Sequence, residues 1–222
     1  IKMEIEFDAL LPNYCGRFED VLKRIYPTNT CGPKGKGFNE VNQTLNFCNA
    51  YEWVYKYGVY WLEAPIDQEG KKQRADGLIL DEMEGVAILI ESKREVTNKS
   101  LQTLQAQWER IGKPESFAQA LKYAKNFSKI KHYYRVVLLD AWVGYCLGDA
   151  LIEAINNRRF KNGTFFDGDP EFLLKEIPEI EFEPGTVPED VANLYKYQLI
   201  IGYEYLGDDF AQKVADARKK II

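Results

Sequence analysis

The sequence predicts an α/β domain with a mixed central β-sheet flanked by helices. Two observations carry this expectation. Asp76–Asp81, Val86–Glu91 and Tyr133–Leu139 are apolar at consecutive positions, as strands buried on both faces are. Segments with helical spacing of apolar residues stand before and between these runs. The chain has 222 residues, 45% of them apolar and 14% aromatic, which suits one folded domain with an ordinary core and excludes a disordered composition.

The elements follow in order. Residues 1–24 gather Phe7, Leu10, Leu11, Phe18, Val21 and Leu22 into a helix, with Pro12 complicating its start. Residues 27–37 are a Gly-, Pro- and Asn-rich loop. A helix over about 38–56 carries Val41, Leu45, Cys48 and Tyr55, with Gly58 as its stop. Val59–Ala64 is rich in β-formers. Asp76–Asp81 and Val86–Glu91 flank a turn at Glu84-Gly85 and read as a hairpin. Residues 115–130 form the clearest helix, striped by Phe117, Leu121, Ala124 and Phe127, with Pro114 at its first turn. Tyr133–Leu139 is a buried strand. Asp149–Phe160 reads as a helix, 161–190 as an acidic Pro- and Gly-containing stretch, and Tyr197–Tyr205 as a last strand. The chain from Asp208 onward reads as an amphipathic helix capped by Asp208 or Asp209.

The net charge of −5 weighs mildly against a nucleic-acid partner, but the charge is segregated. Phe117–Arg135 holds Lys122, Lys125, Lys129, Lys131 and Arg135 and no acid, whereas Asp167–Asp190 holds nine acids and one lysine. The four cysteines, at 15, 31, 48 and 146, form no CxxC pair. That argues against a zinc site or disulfide framework and for reduced thiols in a cytoplasmic protein. No apolar run is long enough for a membrane span, and Ile1–Leu10 lacks a signal-peptide core. The single histidine, His132, reads as structural or solvated and makes a Ser-His-Asp relay untenable.

The chemistry concentrates in the hairpin. If it closes symmetrically about Met83 and Glu84, Asp76 lies opposite Glu91. Lys93, two residues on, points to the same face. Two carboxylates this close repel and are tolerated when a cation sits between them. Oxygen ligands beside a lysine favour Mg²⁺ or Mn²⁺, with the Ser92 carbonyl as a further ligand. Such an ion activates water, and Lys93 orients that water or neutralises a phosphoryl centre. The bland alternative is a solvated strand end. Its weakness is that this acid–lysine pair closes a buried apolar strand and matches an acid on the partner strand.

Asp76…Glu91-Ser92-Lys93 resembles the signature of the PD-(D/E)XK nuclease superfamily, with Ala75 where the family's proline stands. The element order over 38–140 matches that family's αβββαβ, restriction-endonuclease-like core. Gln119…Tyr123 is similar to the QxxxY helix motif of RecB-like and exonuclease-type members, and residues four apart share a helix face. The resemblance implies a single nuclease-like domain over 1–222, with a catalytic core at 38–140 and a C-terminal elaboration at 141–222. It implies metal-dependent hydrolysis of DNA phosphodiester bonds by Asp76, Glu91 and Lys93. The family's first-helix acid, a further metal ligand, would be Glu40, with Glu52 as second choice. Gln119, Tyr123, Arg74, Arg94 and Lys122 become substrate-binding candidates; Lys71, Lys72, Lys125 and Lys129 add charge nearby, and Arg158, Arg159 and Lys161 form a second basic patch. Some RecB-like members hold an iron–sulfur cluster with one upstream and three downstream cysteines. This chain has three and one, so no cluster is expected. The rivals are an inactive nuclease-fold protein that binds nucleic acid or protein, an interaction protein that uses the acidic stretch and C-terminal helix, and a restriction-type endonuclease, for which a homodimer would be expected.

Overall fold

The computed structural model describes residues 5–24, 40–67, 72–93, 98–143, 152–153, 155–156, 166–177 and 196–222. Arg94, Lys71, Cys31, Cys146, Arg158, Arg159 and Lys161 lie outside the described residues, as does most of the helix expected over Asp149–Phe160. The elements are α1 (Phe7–Arg24), α2 (Glu40–Tyr55), β1 (Val59–Pro65), β2 (Arg74–Asp81), β3 (Val86–Lys93), α3 (Asn98–Ile111), α4 (Pro114–Ala120), β4 (His132–Val143), β5 (Glu171–Ile177), β6 (Lys196–Tyr205) and α5 (Phe210–Lys219). The six strands form one sheet in the order β1-β2-β3-β4-β6-β5. Only β3 and β4 run parallel; the other neighbours are antiparallel. A parallel pair needs a crossover, and α3 with α4 supplies it.

Strand β3 shows why the sheet is sandwiched. Every residue from Val86 to Ser92 is buried. Ile88 and Ile90 join the core under α1 and α2, with Phe18, Phe47 and Tyr51. Ala87 and Leu89 join the opposite core, under α3, α4 and α5, with Trp108, Phe117 and Phe210. An alternating side-chain direction therefore needs apolar residues at every position here. Among the described residues, no helix is long and apolar enough to cross a membrane.

The structure corrects several expectations. The first helix starts at Phe7 and keeps Pro12 inside it. The helix expected over 115–130 stops at Ala120; turns and a 3-10 segment at Phe127–Lys129 follow. The cause is tertiary. Arg218 of α5 donates to the carbonyls of Lys122 and Ala124, at 2.9 and 3.3 Å, and lies over the Phe127 ring. Those carbonyls are satisfied without a continuing helix. Helix α3 adds an element between β3 and α4, and β5 lies inside the acidic stretch. Asp209 stands at the α5 N-cap but makes no side-chain cap, pairing with Lys213 at 2.7 Å instead. Arg135, counted in the basic run, is buried: it donates to Glu204, to the Asp167 carbonyl and to the Trp108 carbonyl, and stacks on Trp108.

Helix α2 is seated on the hairpin by one close approach. A Cβ at Gly77 would fall 2.6 Å from Thr44 Cγ2 and 3.3 Å from Ile90 Cδ1. The missing side chain lets Thr44 reach Ser92, Oγ1 to Oγ at 2.7 Å. Gly77→Ala is expected to destabilise the fold by about 1–3 kcal/mol through overpacking. Thr44→Ser removes the colliding methyl and keeps the hydroxyl, so the double variant should regain most of that loss. Urea unfolding of the four proteins in the cycle measures the coupling; additive losses would show that the two residues do not meet.

Candidate active site

The site lies where the hairpin ladder stops. The β2–β3 register runs from Asp81–Val86 to Gly77–Ile90, which sets Asp76 level with Glu91, as the symmetric closure predicts. Beyond Gly77 the next rung is made by a side chain: the Ser92 N–H donates to Asp76 Oδ2 at 2.7 Å. On its other edge β3 stays paired to β4 through Lys93–Leu139. Both acids are thus fixed by the sheet.

Glu91 is 1% exposed. Its Oε1 accepts a hydrogen bond from Arg110 Nη2 at 2.6 Å, and its Oε2 is buried with no partner. Burial first, and the neighbouring Asp76 charge second, push its carboxyl up to about 8, against the pull of Arg110 and Lys93. Asp76 is also raised, by burial above all, although the Ser92 N–H and Lys93 oppose the shift. Lys93 Nζ meets Glu40 Oε1 at 3.1 Å, so the expected first-helix acid does reach the site, as a partner of the lysine. Glu52, the second choice, is exposed further along α2.

Arg110 is the site residue that the sequence reading misses. It sits in the last turn of α3, whose apolar stripe Leu104, Trp108 and Ile111 has helical spacing and was the available signal. Ser116 Oγ donates to the Arg110 carbonyl at 2.6 Å, and Arg110 also donates to the Arg74 carbonyl at 3.3 Å. A second unforeseen feature is Gln43, one turn beyond Glu40. It is fully buried with neither amide atom hydrogen-bonded. Across from Asp76, Glu63 holds φ at +57°, and the β1–β2 register passes from Leu62–Gly77 to Ala64–Ala75 around it. A non-glycine residue in this left-handed region is strained, and such strain collects at functional sites.

The remaining candidates scatter. Arg74 is exposed and pairs with Glu63 at 3.4 Å. Gln119, at the end of α4, and Tyr123, past it, do not share a helix face. They line a cleft over β1 and β2, together with Lys122. His132 lies within 3.4 Å of the Tyr205 hydroxyl. Cys15 and Cys48 are buried free thiols, each pushed up to about 12 by burial.

The donor set fits a hard divalent ion. Glu91 offers a buried, unpartnered oxygen, and the neighbouring Asp76 charge raises the cost of ionising it. No cluster of three His, Cys, Asp or Glu side chains suited to a metal occurs among the described residues. The ligands would be Asp76, Glu91 and the Ser92 carbonyl. Water would fill the other positions, an arrangement Mg²⁺ favours. No family profile, curated protein or solved structure matches this chain.

A pH dependence follows. Glu91 holds its proton up to about pH 8 in the folded chain, against an ordinary value of 4.5. The folded state therefore binds more protons than the unfolded state between these values, and stability falls as pH rises through that window. The melting temperature of metal-free protein is expected to drop from pH 5 toward pH 8, with a smaller slope in Glu91→Gln. A melting temperature that climbs across the window would contradict this assignment.

Proposed function

We propose that the chain is a metal-dependent nuclease of the PD-(D/E)XK type, hydrolysing DNA phosphodiester bonds at Asp76, Glu91 and Lys93. The observation that carries the reading is the meeting, at the end of one hairpin ladder, of Asp76, Glu91 and a Lys93–Glu40 pair. The element order supports a restriction-endonuclease-like core, with α3 as an addition to it.

In this reading Asp76, Glu91 and the Ser92 carbonyl hold the ion. When bound, the ion supplies an activated water and stabilises charge on the phosphoryl oxygens. Asp76 keeps its orientation through the Ser92 N–H. Glu40 fixes the Lys93 ammonium, which is mostly shielded from solvent. That ammonium orients the attacking water or neutralises the developing phosphoryl charge. As a ligand Glu91 would have to be ionised, so affinity for the ion should rise with pH up to about 8.

A specific observation favours a second reading, in which the same fold binds nucleic acid without cutting it. Arg110 Nη2 already stands 2.6 Å from Glu91 Oε1, where a cation would sit.

The test incubates wild type, Asp76→Asn and Lys93→Ala with linear and circular DNA, single- and double-stranded, in Mg²⁺, Mn²⁺ or EDTA. Cleavage is expected to need the metal and to fall by about a hundredfold or more in Lys93→Ala. Calorimetry should find a Mn²⁺ site in wild type that Asp76→Asn weakens. No cleavage of any substrate and no heat of Mn²⁺ binding would favour the second reading.

A further inference from the structure

A cleft of about 430 Å³ lies over β1 and β2 at the edge of the sheet; Asp76 and Glu91 are not in its lining. Its floor is one face of β1 and β2, where Val59 and Trp61 lie directly across the ladder from Leu80 and Leu78. Its wall is the chain from Gln119 to Ala124, which leaves helical geometry after Ala120. Three aromatic residues of the lining are exposed: Trp61 at 53%, Tyr123 at 84%, and Tyr60 at 38%, whose hydroxyl is tied to Asn49 at 3.2 Å. Large apolar groups left exposed around a concavity mark an interaction site.

Lysines stand on the wall and on the segment after it, with Asp67 in the lining and Glu82, which accepts a hydrogen bond from Asn126, as the acids beside them. Lys122 is on the wall, its Nζ 5.5 Å from the Tyr123 ring centre. Lys125, Lys129 and Lys131 are exposed on the segment that follows, with no acid between Phe117 and Arg135. Asp67, also in the lining, has a carboxylate that accepts the Gln73 N–H at 2.8 Å.

The cleft leads to the candidate active site. On β2, Asp76 is two residues from Leu78, about 6.6 Å along the strand. On β1 the lining continues to Pro65, past the level of Asp76. The ligand that fits has flat apolar faces open to stacking, carries negative charge along its length, and continues beyond the cleft to the carboxylates. A duplex hides its base faces; an unpaired strand presents them.

We propose that this cleft binds an unpaired nucleic-acid strand, with bases stacked on Trp61 and Tyr123 and the backbone against Lys122 and the lysines beyond it. The proposal rests on the nuclease reading for what happens to the strand at Asp76 and Glu91. The binding itself is measurable without catalysis.

The experiment follows the anisotropy of a labelled oligothymidylate of about a dozen residues in EDTA, beside a duplex of the same length. The proteins are wild type, Trp61→Ala, Tyr123→Ala and Trp53→Ala, the last an exposed tryptophan outside the cleft. The single strand is expected to bind wild type and Trp53→Ala alike, and more tightly than the duplex does. Trp61→Ala and Tyr123→Ala should each weaken it by about tenfold. All the substituted side chains are exposed, so thermal melts should coincide. Equal affinity across the set, preference for the duplex, or no binding would overturn the proposal. A doubled mass in sedimentation that both cleft substitutions abolish would also overturn it, by giving the cleft to a second copy of the chain. The two readings fail separately. Metal-dependent cutting of duplex by proteins whose strand affinity ignores Trp61 removes the cleft and leaves the nuclease. Strand binding that needs Trp61, in a protein that cuts nothing in Mg²⁺ or Mn²⁺, removes the nuclease and leaves the cleft.

Discussion

The burial of Glu91 is the constraint on which the rest of the site depends. A carboxylate closing a fully buried strand has lost its water, and ionisation there is expensive unless compensated. Part of the compensation comes from Arg110, on α3, and part from Lys93, yet the carboxyl stays raised. Desolvation of this kind also strengthens every charge interaction at the site. The feature that makes Glu91 costly in the metal-free protein is therefore the one that would make it a strong ligand.

Arg110 is in place because the end of α3 is pinned twice. Its own carbonyl takes the Ser116 hydroxyl, so the following helix holds it from behind. Two residues earlier, the Trp108 carbonyl takes a hydrogen bond from buried Arg135, which stacks on the Trp108 ring and pairs with Glu204 on β6. A chain of contacts thus runs from β6 through Arg135 to the last turn of α3. Gly112, just past that turn, leaves room for the Arg135 guanidinium, which an added Cβ would meet at 2.5 Å. The charge segregation noted in the sequence has a structural counterpart here. The cation that ends the acid-free run serves the interior, and the exposed lysines before it remain on the surface.

What the sequence makes legible is what local rules govern. The buried strands, the hairpin and its register follow from apolar runs and turn chemistry. Helix α2 forms where a helix is expected, but the face it buries is Thr44, Phe47, Cys48 and Tyr51, while Val41 of the expected stripe is exposed. Asp76, Glu91 and Lys93 come together because register is a property of the hairpin alone. The premature end of α4 was not legible, since its stripe of Phe117, Leu121 and Ala124 continues unbroken. Arg218, far along the chain, satisfies the carbonyls there. The same non-local cause separates Gln119 from the helix face expected for Tyr123. Helix α3 was legible in the spacing of Leu104, Trp108 and Ile111, but nothing in that spacing says that Arg110 meets Glu91. Strand β5 hides behind its acids: Phe172, Leu173 and Leu174 are three residues in a stretch dominated by charge, and pairing to β6 decides the matter.

Asp76 is a rung of the sheet as well as a candidate ligand, because its carboxylate takes the N–H that a further strand residue would otherwise claim. The two roles demand different atoms. The rung needs an acceptor oxygen; the ligand needs a negative charge. Asparagine supplies the first without the second, and alanine supplies neither. A genetic screen scored on cellular abundance would therefore separate the two substitutions, while one scored on activity would treat them alike. In the proposed nuclease, position 76 is where selection for folding and selection for chemistry would act on a single side chain.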